Sequence, residues 1–462
     1  MPRGTRHTAI LGRRDETAWT VPIVKSALVL MAVFASTNLS EAIIPGGEQS
    51  NFQQYIVVAL WGLLIAVSYF RRTLLHVDLA ATGTWLGIAF YAFAMLSALW
   101  ANEPLSSLTK SVALAITTFG AYRLVKTVSL KDIVECSVHG MFVLAFLSIV
   151  FALFVPSIGV SHDWQHPGQW SGIFPNKQAL GLVAAVLLFL ACNCLMSSPR
   201  KFYYGAAAAA GLICIIGSES RGAGALAVIS AVGVYYSGRS VIFARILAFT
   251  PFVMSLCAIV LITYMVQTGN PTIDIFNAHI DFTERTYIWQ HALSYFPTRP
   301  WIGFGLDGFW TIKEVKDVFI ERHGWFLDNY HDGYIGILVE TGVVGFSLFV
   351  ACYFLFAYRI LAAIRRDGRL MPDIALAAMF TSLLFFIDFT ETYFLRSTNI
   401  AATLLNVCFF IAYARRSAPH AARLYRPAHL RAAPVYAGPH YGGQESSAAA
   451  FLREAGYYDE IV

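Results

Sequence analysis

Apolar segments long enough to cross a bilayer recur along most of the chain, and no other feature constrains its fold more strongly. A membrane-spanning helix needs about 20 mostly apolar residues, and fewer where flanking side chains reach the interface. The composition agrees, because 57% of the 462 residues are hydrophobic and only 13% are charged. It argues against a water-soluble enzyme, a disordered chain, a coiled coil and a nucleic-acid-binding protein. The pattern predicts an all-α polytopic membrane protein.

We predict twelve spans, of which the seventh and eighth are short and are expected to form a tight hairpin. They lie at 19–38, 55–70, 80–100, 108–125, 133–155, 177–196, 202–217, 223–236, 246–266, 333–357, 373–389 and 396–413. The first nine spans therefore occupy residues 19–266, and the last three occupy residues 333–413.

The lysines and arginines predict the orientation of these spans. With the N-terminus inside, 23 of the 33 fall in inner segments, nine fall outside and Lys25 lies within the first span. An even number of spans then puts both termini in the cytoplasm. Residues 1–18 and 414–462 are the predicted cytoplasmic tails. The second is rich in Ala, Pro, Gly and Tyr, so we expect it to be disordered, with its basic start near anionic lipid.

Residues 267–332 form the only long connection, and the predicted topology places it outside. This large loop contains nine of the 28 acidic residues and four of the ten tryptophans. Long loops with a composition of their own are usually functional. A membrane-interface belt explains Trp289 and Trp310 individually. Their concentration in one acidic loop favours stacking on a saccharide.

The same loop contains a GxGxxG pattern at residues 303–308, but no βαβ unit surrounds it. We therefore reject a dinucleotide site and expect these glycines to bring the backbone close to a ligand or a helix. The sequence also lacks DxD, HExxH and GxxxxGK[ST] motifs, and its seven cysteines all lie in apolar segments. It therefore predicts neither a metal ion nor a cofactor.

His331 is the strongest candidate for a catalytic residue. Asp328 and Asn329 are predicted to cap the tenth span, which places His331 in its first turn at the outer membrane boundary. The partly positive helix N-terminus disfavours an imidazolium. A general base must be neutral to accept a proton, so this position suits one. The alternative is an interfacial histidine that only faces water.

Four outer cations are expected near the same membrane plane as His331. An arginine in an outer hairpin with almost no aqueous loop is costly unless it is paired or binds an anion. Planar guanidinium groups suit diphosphate oxygens. For Arg221, which lies in that hairpin, the alternative is pairing with Glu219. For the other three cations, the alternative is a surface side chain that snorkels to the membrane interface. The four are Arg221, Lys177 with the preceding Asn176, Arg285 and Arg396.

Six segments follow one another in an order that is typical of one family. They are LSALWANEPLSSL at 96–108, WSGIFPNKQALG at 170–181, SESRGA at 218–223, ERTYIWQHAL at 284–293, WIGFGLDGFW at 301–310 and HDGYIGILVETGVVGF at 331–346. Together they resemble the O-antigen ligase and O-antigen polymerase superfamily of bacterial envelope polysaccharide enzymes. The second segment is most similar to exopolysaccharide polymerase members. The family usually has HN at this histidine, whereas Asp332 follows His331 here.

The resemblance implies metal-independent, inverting glycosyl transfer at the periplasmic face of the bacterial inner membrane. The donor would be an oligosaccharide on undecaprenyl diphosphate, and the acceptor a glycan or a lipid-linked sugar. Polymerisation of exopolysaccharide or O-antigen repeat units and ligation of a glycan to lipid A-core both stay open. A chain-length regulator and export proteins are the protein partners that it suggests. A lipid-linked oligosaccharide flippase is the alternative of another class, although transporters tend to place their charges near the midplane.

The residues and the resemblance together give a hypothesis for the mechanism. Arg221 and Arg285, with Arg396 or Lys177, would hold the diphosphate and stabilise its developing charge. His331 would take the proton from the acceptor hydroxyl, and either Asp332 or Glu340 would orient the imidazole.

Overall fold

The computed structural model describes residues 19–36, 52–162, 167–237, 240–268, 273–275, 278–280, 285–324, 329–367, 371–389, 391–397 and 399–416. Most of these residues are helical, which confirms the all-α polytopic fold. The predicted tail at 1–18 lies outside the described residues, as do residues 417–462 of the predicted tail at 414–462, and Asp328.

Each predicted span coincides with one helix, and further helices lie in the large loop. The α-helices longer than four residues are α1 Thr20–Phe34, α2 Phe52–Ser68, α3 Thr82–Leu96, α4 Pro104–Thr127, α5 Leu130–Phe154, α6 Lys177–Ser197, α7 Lys201–Ser218, α8 Arg221–Ser237, α9 Val241–Thr268, α10 Arg285–Tyr295, α11 Lys313–His323, α12 Gly333–Asp367, α13 Pro372–Ile387 and α14 Ile400–Ala412. The strands are β1 Leu75–Val77, β2 Ile273–Ile275, β3 Ala278–Ile280 and β4 Ala414–Arg416.

Six helical segments in the described part of the chain are long and apolar enough to cross a membrane. They are Thr82–Trp100, Leu130–Phe154, Lys177–Ser197, Lys201–Ser218, Val241–Thr268 and Gly333–Arg365. Five shorter apolar helices pack with them, so the protein is a multi-pass membrane protein whose span count of twelve stays a prediction.

Segments predicted on the inner side of the membrane contact one another. β1 pairs antiparallel with β4, so the chain after α14 is held against the connection between α2 and α3. Beside this ladder, the Arg359 guanidinium of α12 lies 3.2 Å from the Asp78 carboxylate. The predicted disordered tail was expected to begin at residue 414. That boundary is wrong for residues 414–416, because their backbone pairs with β1.

The large loop is folded rather than irregular where the structure describes it. α10 and α11 lie in it, and β2 pairs antiparallel with β3. Aromatic rings join the two helices, since the buried His291 imidazole stacks on Trp310 and packs edge-on against Phe319. The His291 Nε2 also lies 2.9 Å from the carbonyl oxygen of Val315, which is the first buried residue of α11. These contacts make one small aromatic core on the outer side of the bundle.

α12 is interrupted at Gly342, whose φ of 65° and ψ of −171° are not helical. The segment 300–305 packs into the break. The Val343 N–H donates to the Pro300 carbonyl at 2.8 Å. A Cβ atom on Gly342 would lie 2.4 Å from the Trp301 carbonyl carbon. Only glycine allows this backbone conformation together with this close approach.

The glycines of the GxGxxG pattern serve the same close packing. Gly303 and Gly305 have φ values of 66° and 90°. A Cβ on Gly303 would lie 2.5 Å from the Glu340 carbonyl oxygen, and one on Gly305 would lie 2.7 Å from the Ser97 carbonyl oxygen. The expectation that these glycines bring the backbone close to a helix is confirmed.

Replacing Gly342 with alanine is expected to destabilise the protein by about 2–4 kcal/mol. The φ,ψ region costs a residue with a side chain about 1–3 kcal/mol, and the contact with the Trp301 backbone adds an overpacking cost. Thermal unfolding in detergent, followed by tryptophan fluorescence, measures the change. Gly224→Ala in α8 is the matched control, since a Cβ there meets nothing within 4 Å. Equal unfolding midpoints for the two variants would contradict the role given to Gly342.

Candidate functional site

His331 lies just before α12, at the end of the helix that is predicted to face outward. It was predicted in the first turn of the helix, but α12 begins at Gly333, and His331 has a positive φ of 48°. Its N–H donates to the Asn329 side-chain oxygen at 3.3 Å, so Asn329 closes a local turn and does not cap the helix. The predicted cap was therefore wrong. About a third of the His331 side chain is exposed, so a substrate can reach the imidazole.

Glu391 is the carboxylate that faces His331. It follows α13, and its Oε2 lies 3.5 Å from the His331 Nδ1. Its other oxygen, Oε1, accepts from the Arg285 guanidinium at 3.0 Å. Burial alone raises the pKa of Glu391, but the adjacent His331 imidazole and the charge of Arg285 outweigh it and hold this pKa below its ordinary value. Glu391 is therefore an ionised group between the His331 imidazole and the Arg285 guanidinium.

Arg285 is brought to this site by α10, of which it is the first residue. Its side chain is only 17% exposed, as is that of Glu391. A mostly buried guanidinium and carboxylate are stable when they are paired, as they are here. His331, Glu391 and Arg285 form what we call the histidine group. It joins the start of α10, the start of α12 and the connection after α13.

Asp332 is the residue that caps α12. Its Oδ1 accepts the Ile335 N–H at 2.8 Å, and its own N–H donates to the Thr392 hydroxyl at 3.2 Å. Burial raises the pKa of Asp332 to about 8, against the lowering effects of the helix N–H groups and of Arg285. The carboxyl group therefore points into the helix start. The prediction that Asp332 orients His331 is corrected, because Glu391 occupies that place.

Asp332→Asn is expected to remove a pH dependence of stability. An asparagine oxygen can accept the same Ile335 N–H. Since the pKa of Asp332 is raised from 3.8 to about 8 on folding, the folded protein binds more protons between these values. The stability contributed by the protonated carboxyl is full below about pH 4 and is lost as the pH rises to about 8, at up to about 1.4 kcal/mol per pH unit.

The measurement is the unfolding midpoint of both proteins from pH 5 to pH 9 in one detergent. The variant should become more stable relative to the native protein as the pH rises, and the difference should level off near pH 8. Other titrating groups are shared by the two proteins and cancel in the difference. Parallel curves would show that Asp332 does not titrate in this range.

Asp307 holds a second charged group on the outer side. It accepts from the Arg396 guanidinium at 2.8 Å and pairs also with the Lys110 ammonium. Arg396 was predicted to begin the twelfth span, but α14 starts at Ile400, which is capped by Asn399. Arg396 lies instead in the connection that also carries Glu391. We call Lys110, Asp307 and Arg396 the aspartate group.

Glu340 belongs beside the aspartate group and not beside His331. It is 4% exposed, in the second turn after the start of α12. The Tyr330 hydroxyl faces its carboxylate, and Arg396 and Lys110 are the cations whose charges act on it. The predicted orientation of His331 by Glu340 is therefore also corrected. Tyr330, next to His331 in the sequence, separates the two groups.

Trp289 and Trp310 pack in the aromatic core of the large loop. Trp289 is fully buried, and its indole N–H donates to the Tyr330 carbonyl at 3.0 Å. Trp310 is 5% exposed and packs against Phe309 and Tyr330. Stacking on a saccharide needs an open ring face. The predicted stacking role is therefore not supported, and both rings position the backbone that precedes His331.

The remaining predicted residues lie at the starts of two neighbouring helices. Asn176 caps α6 by accepting a first-turn N–H at 2.8 Å, and Lys177 is the first residue of that helix. Arg221 is the first residue of α8. A Cβ on Gly181, one turn into α6, would lie 2.7 Å from the Ser220 Cβ, so the two helix starts are adjacent. That they share one anion site with Arg285 stays a prediction.

Strained backbone marks the same regions. In the described ranges, the non-glycine residues with positive φ are Glu219, Asp307, His331 and Leu395. Each one adjoins a charged candidate, since Glu219 precedes Arg221 by two residues and Leu395 directly precedes Arg396. Such conformations cost free energy and cluster at functional sites. The strained positions therefore coincide with the segments that carry the candidate residues.

Sequence reasoning missed Glu391, Asp307 and Lys110 as members of these groups. A signal was present for Glu391, because an acid beside a predicted span is as costly as a cation. Among the predicted outer acids, this cost selects Asp388 and Glu391 at the end of the eleventh span.

Comparison with known proteins finds similarity to envelope polysaccharide proteins. Residues 205–350 match the model of the family described as O-antigen ligase. This part of the chain is similar to that family. The chain is also 25% identical, over 321 residues, to the exopolysaccharide production protein ExoQ of Rhizobium meliloti (strain 1021). This matched region covers 65% of the present chain and 70% of that protein. The resemblance drawn from the sequence is thereby confirmed. The matched range includes Arg221, Arg285 and His331, whereas Glu391 and Arg396 follow it.

Proposed function

We propose that the protein transfers a glycan from undecaprenyl diphosphate to a hydroxyl of an acceptor sugar, at the periplasmic face of the bacterial inner membrane. Polymerisation of exopolysaccharide or O-antigen repeat units is the favoured form, and the similarity to a protein named for exopolysaccharide production supports it. Both termini lie in the cytoplasm in this proposal. The observation that carries it is the histidine group, in which a reachable imidazole faces an ionised carboxylate that an arginine also holds.

Glycosyl transfer of this kind needs a base for the acceptor hydroxyl. In the proposal the His331 imidazole takes the hydroxyl proton while the acceptor oxygen forms a bond to the anomeric carbon. The bond between that carbon and the diphosphate oxygen breaks, and attack from the opposite side inverts the configuration. Glu391 fixes the orientation of the imidazole and stabilises the imidazolium that forms, as a carboxylate does in a Ser-His-Asp triad.

The leaving group is a diphosphate that carries negative charge. Arg285 lies next to His331 and can offer two parallel N–H groups to its oxygens. Arg221 and Lys177 at the helix starts, and Arg396 of the aspartate group, are the further cations of the proposal. Fixed positive charges of this kind stabilise a leaving group without a metal ion. We therefore propose a metal-independent reaction.

Purified protein in detergent, given a lipid-linked oligosaccharide and excess EDTA, tests the function. Mass spectrometry should show glycans lengthened by whole repeat units, with the new linkage inverted relative to the donor. A flippase would give no longer glycan in a system without compartments. A product that forms only when lipid A-core is added would identify a ligase. Strict dependence on a divalent ion would overturn the metal-independent scheme.

A further inference from the structure

The segment 299–306 of the large loop lies against a patch of exposed apolar side chains. Trp301 is 69% exposed and Ile302 is 42% exposed. Leu99, after α3, is 78% exposed, and Val343, at the break of α12, is 38% exposed. Exposing this patch to water would cost free energy, whereas an apolar environment would not. The sequence predicted that the segment lies outside the membrane. The depth of the segment decides whether the patch faces water or lipid.

An ion pair fixes the inner ends of α3 and α12 at one level. Arg359 of α12 lies 3.2 Å from Asp78, just before α3. Val344 precedes Arg359 by 15 residues of continuous helix, a rise of about 22 Å. The hydrocarbon core of a bilayer is about 30 Å thick. With Arg359 at the inner boundary, Val344 lies inside the hydrocarbon, and any tilt of the helix places it deeper.

Hydrogen bonds give the segment the same depth as these helix residues. The Val344 N–H donates to the Trp301 carbonyl at 3.1 Å. A second measure comes from α3, because the Trp100 indole N–H donates to the Ile302 carbonyl at 3.2 Å. The α-helix Thr82–Leu96 and the 3₁₀ turn Ser97–Trp100 that follows it together rise about 30 Å. The first measure places Trp301 below the outer boundary of the hydrocarbon. The second places Ile302 at that boundary, and any tilt of the helix places it deeper.

Much of the backbone of the segment is paired within the protein. Non-helical backbone is tolerated in a membrane only where protein groups satisfy it. The carbonyls of residues 300–302 accept from α12 and Trp100, those of residues 305 and 306 accept from Gly308 and Ser107, and the N–H groups of residues 303–306 donate to protein oxygens. The paired carbonyls are those of Pro300, Trp301, Ile302, Gly305 and Leu306, and the paired N–H groups are those of Gly303, Phe304, Gly305 and Leu306.

We propose that residues 299–306 form a re-entrant loop in the outer leaflet, with Trp301 and Ile302 in contact with lipid chains. Arg299 marks its entry, since its guanidinium donates to the Trp100 carbonyl at 3.0 Å and lies over the Phe304 ring. Arginine places its charge at the headgroups while its stem stays in the apolar region. The loop ends next to Asp307, so the aspartate group lies at the lipid boundary.

Spin labels at single cysteines test this depth in liposomes. The background carries Cys257→Ser and Cys192→Ser, because the other cysteines of the described ranges are buried. Trp301→Cys and Ile302→Cys report on the loop. Val253→Cys, exposed in the middle of α9, is the lipid control, and Glu321→Cys, exposed on α11, is the water control.

The labels at 301 and 302 should collide more with oxygen than with a water-soluble nickel chelate, as the label at 253 does. A response like that at 321 would overturn the proposal. Protection from both reagents would overturn it as well, because protein and not lipid would then cover the loop. Trp301→Phe provides a check without a label. In brominated lipid, the quenched fraction of the tryptophan fluorescence should fall in this variant, and an unchanged quenched fraction would count against lipid contact.

Discussion

His331→Ala is expected to lower glycan elongation by about 10²–10⁴-fold while the protein inserts and folds normally. The imidazole is partly exposed and is not part of the buried core, so its loss removes a base and little packing. The rate of elongation of a lipid-linked donor in detergent measures the effect, and the unfolding midpoint measures folding. A correctly folded His331→Ala protein that still makes full-length polymer would contradict the base assignment.

Glu391→Gln provides the companion test. Glutamine keeps the size of the side chain but cannot stabilise an imidazolium. If Glu391 acts by positioning His331, the double variant His331→Ala/Glu391→Gln should be no slower than His331→Ala alone. The reason is that substitutions of residues that act as one unit do not have additive effects. Losses that multiply would show that Glu391 contacts the reaction by a separate route.

Arg285→Ala is expected to lower transfer by about 10²–10³-fold, the usual cost of one electrostatic contact to developing charge. It should also destabilise the protein by up to about 3–5 kcal/mol, because Glu391 is left buried without its strongest cation. The two effects are separable. Arg285→Ala combined with Glu391→Gln should recover stability but not activity.

Arg285→Lys is the matched control for the guanidinium. It keeps the charge and loses the planar fork that suits two phosphate oxygens. We expect a folded protein with weaker donor binding, measured as an increase in the donor KM. Native turnover and native donor binding in either Arg285 variant would exclude this residue from the diphosphate site.

The sequence predicted the helices well because bilayer-length apolar runs are a strong signal. Their ends were less predictable, since local hydrogen bonds decide them. α14 begins at Ile400 because Asn399 caps it, although the apolar run starts earlier. α12 begins at Gly333 because Asp332 caps it. Capping depends on which of several polar residues has the required backbone conformation, and the sequence does not show that.

The sequence was enough to select candidate site residues, but it did not show which residues they contact. His331 and Arg285 were chosen as rare polar residues on the outer side, and both lie in one group. Their shared partner Glu391 is 60 residues from the histidine in sequence, and only the packing of α13 beside α12 brings it there. The burial of Trp289 could not be predicted either, because a tryptophan can stack on a sugar or pack in a protein core.

Glu391 shares its carboxylate between the Arg285 guanidinium and the His331 imidazole, and this links anion binding to the orientation of the base. An anion that draws the Arg285 guanidinium toward itself leaves the carboxylate to His331. By reciprocity, whatever orients the imidazole toward Glu391 should favour anion binding at Arg285 by the same factor. Donor arrival would thus align the base at the moment when an acceptor hydroxyl can use it.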